Sequence, residues 1–334
     1  MRGLKTTLLL VTLLGLGGCQ SDDPAKDMMA DYYQRLGNVL DAPTPDFTTP
    51  AVPPLPRKRD LVQPLEALRM GVLDAYELRE CGLFNLIAER NSSLGKVADR
   101  FRQLDYELNF IDTAQRCLPQ VKDPSIHTEL EQALALKRQQ RDTVIWNTLA
   151  DSDAWRGQLS LPAYTLPIDL PAHSNAVSTI DQFSHLLNHH PVANESVTDW
   201  QESIEKQRIL GALFVSLSYH TAWLNQTSAL IANHQEKVLC GGNFDTTRLE
   251  RLQTVFYKFY VGDVQPYLAR VDGLYRDIAP ALTRFATLQT PDAFSAYKNA
   301  YWQGEAYRQY KDAIKHHADV WQQLFQRCDV KLGQ

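Results

Sequence analysis

The chain has 334 residues, 44% of them hydrophobic, with 34 Lys+Arg against 39 Asp+Glu. That is apolar material for one large core or two smaller ones. A formal charge of −5 leaves no basic footprint for nucleic acid, so none is expected as a partner.

Arg2 and Lys5 precede an unbroken apolar run from Leu8 to Leu14, a charged start and hydrophobic segment too short to span a bilayer. Leu16-Gly17-Gly18-Cys19 then resembles a bacterial lipobox. It predicts removal of residues 1–18 and a lipid on Cys19, which anchors the chain to a membrane. Losing Arg2 and Lys5 takes the formal charge from −5 to about −7. Gln20 follows the acylated cysteine. Lipoproteins of this type retained at the inner membrane carry aspartate there, so the resemblance implies the periplasmic face of the outer membrane.

Residues 19–59 read as a lipidated tether, a short helix and a strap. Asp23-Pro24 is an N-cap followed by proline at the first helical position, and the predicted helix runs to Leu40. Met28, Met29, Tyr32, Tyr33, Leu36, Val39 and Leu40 fall on one broad face. Six prolines between Ala42 and Pro56 predict an extended strap, which reaches up to ~45 Å at about 3.1 Å per residue. From residue 60 to 334 a helical domain is expected. Leu61, Leu65, Leu68, Val72, Leu73 and Tyr76 repeat at helical spacing and lead into Cys81 to Val97. Further helices are predicted from Phe101 to Leu118 and from Asp123-Pro124 to Ala150. Residues 157–175 read as an extended crossover. A short helix follows from Ser178 to His189. A capping box at Ser196–Asp199 opens a long helix to Cys240. Thr246 to Leu288 is helical, with Pro266 and Pro280 kinking or dividing it. The last helix starts at Thr290-Pro291 and ends near Cys328. No strand alternation appears. The expected fold is all-α, an elongated multi-helix bundle with a proline-rich N-terminal strap.

Cys81, Cys117, Cys240 and Cys328 are an even set, and an oxidising compartment makes them two disulfides with three possible pairings. Alternating final helices bring Cys240 and Cys328 to one end of the bundle. Cys81 meets Cys117 if the chain turns near Ala98-Asp99. A turn at Asn91–Gly95 leaves them roughly 18 Å apart along the axis.

The densest polar cluster in an apolar setting is Glu89, Arg90, Asn91, Ser92 and Ser93, with Lys96 close behind. It reads as an internal hydrogen-bonded network if buried, and as a ligand or partner site if open. Gly95-Lys96 is no P-loop, because Arg90 replaces the leading glycine and Val97 the Ser/Thr. A Ser92 or Ser93, His220 and Glu89 arrangement could only be assembled by tertiary structure, and no GxSxG elbow exists. His185 and His189 have the spacing of two metal ligands without a third, so no metal or other cofactor is expected.

At this cluster the run LRECGLFNLIAERNSSLGKV (Leu78 to Val97), with the lipobox ahead of it, resembles a family of bacterial envelope lipoproteins known as domain of unknown function 3080. Phe259-Tyr260 and Gln265-Pro266-Tyr267-Leu268 fit the same family. The resemblance implies an envelope location and no activity. The expectation is a non-enzymatic, lipid-anchored protein that binds or positions an envelope partner. The alternative is a small-molecule or peptide-binding protein, or a hydrolase, with its site at Glu89–Ser93.

Overall fold

The computed structural model describes residues 23–67, 76–169, 175–188, 196–241 and 245–331. Cys19 and the lipobox, Leu68, Val72, Leu73, His189 and His190 lie outside the described residues. Within them the chain is a multi-helix bundle with no strand.

Helix α1 (Pro24–Leu40) starts as its sequence dictates, with Asp23 accepting the Lys26 N–H at 3.2 Å and Pro24 at the first position. Its apolar face, with Met29, Tyr32, Tyr33, Leu36 and Leu40 buried, belongs to the main core. The proline strap follows with no regular structure and lies on the bundle. Phe47 anchors it, stacked on Trp223 with ring centroids 4.5 Å apart.

Of the helix predicted from residue 60, the described residues up to 67 hold only α2 (Lys58–Leu61), and 62–67 are irregular. Pro64 explains the loss, since proline drives the preceding residue out of the helical region. The Asn147 side chain then takes both main-chain groups of Gln63: its Oδ1 accepts the N–H and its Nδ2 donates to the C=O, each at 2.9 Å. Cys81 to Val97 divides into α3 (Leu83–Asn91) and α4 (Ser93–Lys96). Next come α5 (Arg100–Cys117), capped by Asp99, and α6 (Pro124–Asp151), capped by Asp123, both as predicted. The crossover at 157–175 begins instead with a helix, α7 (Asp153–Leu159), whose cap is Ser152. Helix α8 (Asn175–His185) follows.

The capping box at Ser196 does not form, because Asp105 of α5 accepts from Ser196 Oγ at 2.9 Å and from the Val197 N–H at 3.2 Å. The long helix expected beyond it breaks into α9 (Asp199–Lys206) and α10 (Leu210–His234). Fully buried Gln158 stabilises the break. Its Nε2 donates to the carbonyls of Ile204 and Gln207, and its Oε1 accepts the N–H groups of Ile209 and Leu210. Helix α11 (Thr247–Val255) passes through a π-helical segment, Phe256–Val264, into α12 (Gln265–Phe285). The π-helix ends at Val264, two residues before Pro266, which has no N–H to donate and sits in the first turn of α12; Pro280 lies inside the continuous α12. The last stretch begins with short turns and a π-helical segment, Lys298–Trp302. It restarts at Gly304, whose φ of 75° favours glycine, as α13 (Glu305–Arg327).

Two hydrophobic cores result. The larger is built on the α10–α13 pair with α1, α11, α12 and the aromatic-rich C-terminal third. The smaller sits where α3 packs on the α5–α6 hairpin, around Leu83, Phe110, Leu130 and Leu134. Each carries one disulfide: Cys240–Cys328 with Cα atoms 5.1 Å apart, and Cys81–Cys117 at 5.4 Å. The chain reverses across residues 92–99, and α4 with its flanking residues absorbs the length difference between α3 and α5. Hence Cys81 reaches Cys117 although the helix stops at Asn91.

Candidate functional site

Helix α3 ends at Asn91 because Ser92 leaves the helical region, with φ −63° and ψ 163°. Its Oγ accepts the Gly95 N–H at 3.0 Å and donates to the Glu89 carbonyl at 2.6 Å. Gly95 folds so closely over α3 that a Cβ would stand 2.2 Å from the Glu89 carbonyl oxygen. Only glycine fits there. This corner exposes the polar cluster instead of burying it, so the internal-network reading is set aside. Glu89, Asn91, Ser92, Ser93 and Lys96 are exposed, and Arg90 is half-buried.

Arg90, Asn91 and Lys96 line a cleft of about 590 Å³ between this corner, the α5–α6 hairpin and residues 65–67. Arg90 donates to the Gly95 carbonyl, and its guanidinium carbon lies 5.8 Å from the centre of the Tyr106 ring. Lys137 of α6 donates to Glu107 of α5 at 2.8 Å in a nearly fully buried ion pair lining the same cleft. Lys137 also stands 5.7 Å over Tyr106, whose phenol is pushed up to about 12, chiefly by burial and then by the Glu107 charge. Besides the Lys137–Glu107 pair, the polar groups lining the cleft are the Arg90 guanidinium, the Lys96 ammonium, the Asn91, Gln103 and Gln140 amides and the Glu66 carboxylate. Leu65 and Ile87 form its apolar side.

Glu89, Ser92 and Ser93 do not line the cleft. Nor does His220, which is fully buried on α10 against Tyr219 and Tyr267. The structure therefore does not assemble Ser92 or Ser93, His220 and Glu89. A different serine–histidine pair, Ser228 and His317, is hydrogen-bonded at 2.9 Å and wholly buried. Trp321 Nε1 donates to Tyr32 Oη at 2.9 Å, and Tyr32 contacts His317 Nε2 at 2.9 Å. Ser228 donates to the Leu224 carbonyl at 2.7 Å, so its oxygen receives the His317 Nδ1–H. Every proton in that chain has an acceptor and no substrate can reach it. His185 lies 3.4 Å from Asp181, which itself accepts from Arg284. Among the described residues no three His, Cys, Asp or Glu side chains are grouped to hold a metal.

Among the cleft residues that sequence reasoning missed, Glu107 and Lys137 had left a trace. The signal was a single charge on each of two apolar stripes. Glu107 interrupts Leu104 and Phe110, and Lys137 follows Leu130, Ala133 and Leu134 at helical spacing.

Residues 29–332 match the family described as a protein of unknown function, DUF3080. The chain belongs to this family. The match spans both cores and the whole cleft, so the corner at Leu78–Val97 is part of a family fold and not an appendage. No curated protein and no solved structure matches the chain. No helix among the described residues is long and apolar enough to cross a membrane.

Proposed function

We propose that the protein is a non-enzymatic binding component of the bacterial envelope, tethered by lipid on Cys19 to the periplasmic face of the outer membrane. Its cleft captures an anionic ligand, a small molecule or peptide bearing a carboxylate or phosphate. The observation that carries this reading is the convergence of Arg90, Asn91 and Lys96 on an open cleft whose other cation is already paired, so that two cations face the single further carboxylate of the lining, Glu66. The lipobox-like Leu16–Cys19 supports the tether. Two cysteine pairs at bonding distance suit an oxidising compartment.

Calorimetric titration of the mature chain with phosphate, citrate and a peptide ending in a free carboxylate tests the cleft. Each lost charge-assisted hydrogen bond weakens binding about tenfold or more, so the double variant Arg90→Ala, Lys96→Ala should lose the signal. Binding indifferent to both substitutions sinks the reading. The tether is tested separately, by radiolabelled palmitate incorporation and membrane fractionation of the Cys19→Ser form.

A protein seated over α4 is the second reading, favoured by Leu94 and Val97, which are 79% and 78% exposed beside Lys96. Site-specific photocrosslinking from position 94 in cells decides between a defined adduct and none.

A further inference from the structure

Asp23 fastens the start of α1 to one surface of the bundle. Besides capping the helix, its carboxylate accepts from the Thr165 N–H and from Thr165 Oγ1, each at 2.8 Å. Lys26, in the first turn, donates to the Ala163 carbonyl. The same segment is held from beneath. The Leu166 N–H donates to Ser216 Oγ at 2.8 Å, and Tyr267 Oη donates to the Leu166 carbonyl at 2.9 Å. At Gly211 of α10 a Cβ would stand 2.0 Å from the Ser160 carbonyl oxygen, so the chain at residue 160 lies directly on that helix. Residues 160–166 therefore form a fixed plate, and Asp23 is bonded to it.

The outer side of the plate is uncharged: no residue from Leu161 to Ile168 carries a charge. Ala163, Tyr164 and Pro167 are exposed, and Leu161, Pro162 and Ile168 are half-buried. On the elements that border it, Lys26, Arg156 and Arg208 are balanced by Asp27, Asp153 and Asp169. An exposed tyrosine on an apolar, neutral surface suits the boundary between water and lipid, where one end of the ring stays wet. Covalent reach decides what covers this surface. Cys19 and Asp23 are four residues apart, a span of at most ~14 Å whatever the conformation between them. A lipid-bearing Cys19 starts that span at the hydrocarbon edge, beneath a headgroup layer roughly 5–8 Å thick. Asp23 and its plate then stand no more than about 9 Å above the headgroups, less than the about 10–12 Å width of one helix. No folded partner fits into that gap, whereas the bilayer surface reaches the plate directly.

We propose that residues 161–168, with Tyr164 among them, are the face this protein lays on the lipid headgroups, so that the anchor orients the body as well as retaining it. The inference rests on the lipid tether proposed above. It shares no residue with the cleft.

The test uses the mature chain purified from membranes, with lipid on Cys19 checked by mass spectrometry. It is reconstituted in vesicles of phosphatidylethanolamine and phosphatidylglycerol, a fraction of whose lipids carry a nitroxide quencher just below the headgroup. A fluorophore is attached through a non-natural residue at position 163 or 164, both exposed, so that labelling leaves the core intact and either site serves if the other perturbs the fold. Position 239 is the reference. Leu239 and Tyr164 are equally exposed, at 46%, and nearby Lys237 donates to the Asp41 carbonyl at the far end of α1, about 25 Å from Asp23. Emission from 163 and 164 should be blue-shifted and quenched about twofold or more relative to 239, as for groups seated at the headgroup boundary. The difference should persist in about 1 M salt, because a neutral contact is not screened. Equal quenching at the two ends, or stronger quenching at 239, on a chain that carries its lipid overturns the face and leaves the tether standing. Loss of the difference in salt overturns the uncharged contact. A chain without lipid on Cys19 overturns the tether and this face together.

Discussion

Two histidines sit where water cannot reach them, and both are held neutral. Burial pushes His317 down to about 3 and His220 to about 4, from an ordinary 6.5. Desolvation dominates each shift because the charged ring would lose its hydration; at His220 a backbone hydrogen bond and the Asp23 charge oppose it without overcoming it. The unfolded chain binds these two protons as pH falls through 6.5, whereas the folded chain refuses them. Stability therefore declines on acidification. Each histidine costs about 2 kcal/mol at pH 5 relative to neutrality, so the pair costs about 4 kcal/mol. Urea denaturation at pH 7.5 and pH 5 should show that drop, with both imidazole rings still neutral by NMR in the folded state at pH 5. A flat stability between those pH values would mean that the rings are hydrated. The apolar helix around His220 and the missing GxSxG elbow already favoured a structural histidine over a catalytic one. Its complete burial agrees, and the unpaired Nε2 of His220 faces protein.

At the level of elements, propensity and capping located most helices, and proline and buried polar side chains decided where they stop. Asp23 and Asp123 each cap a helix as the sequence indicates, and Asp99 caps α5 where the sequence reading placed only a turn. Pro64 was an equally local signal, and it ended a helix that apolar spacing alone would extend. The gap between α9 and α10 had no local signal. It depends on Gln158, which meets four main-chain groups from a helix some fifty residues away along the chain. Gln158→Leu would strand those groups inside the core. A loss of about 3 kcal/mol or more is expected, since each buried unsatisfied group costs about 1–3 kcal/mol. Equilibrium denaturation measures it, and hydrogen exchange should localise the opening to the Ile209 and Leu210 amides.

Across the whole molecule, one disulfide closes each core, so the two should fail differently. On the loop-entropy account each contributes about 4 kcal/mol. Replacing Cys81 and Cys117 by serine should loosen α3 and the far end of the α5–α6 hairpin while the main core keeps its protection from exchange. Replacing Cys240 and Cys328 should lower the global unfolding midpoint, because their loop encloses α11, α12 and α13. The first variant also bears on the cleft proposed to bind an anion. Freed from Cys117, α3 holds Arg90 and Asn91 less firmly against α5, so cleft binding should weaken without any change at the cleft itself.

The all-α class, the caps, the proline strap and the polar corner at Glu89–Lys96 were written locally, in spacing and composition, and could be read from the chain alone. The cleft was not. It needs Arg90 beside Tyr106, and Glu107 beside Lys137 across the hairpin, and those neighbours are chosen by packing between helices that periodicity leaves free to rotate and slide. Whether the polar corner faced water or protein rested on the same choice. Ser92 and Gly95 turned the chain outward, and tertiary packing put a cleft beneath the turn.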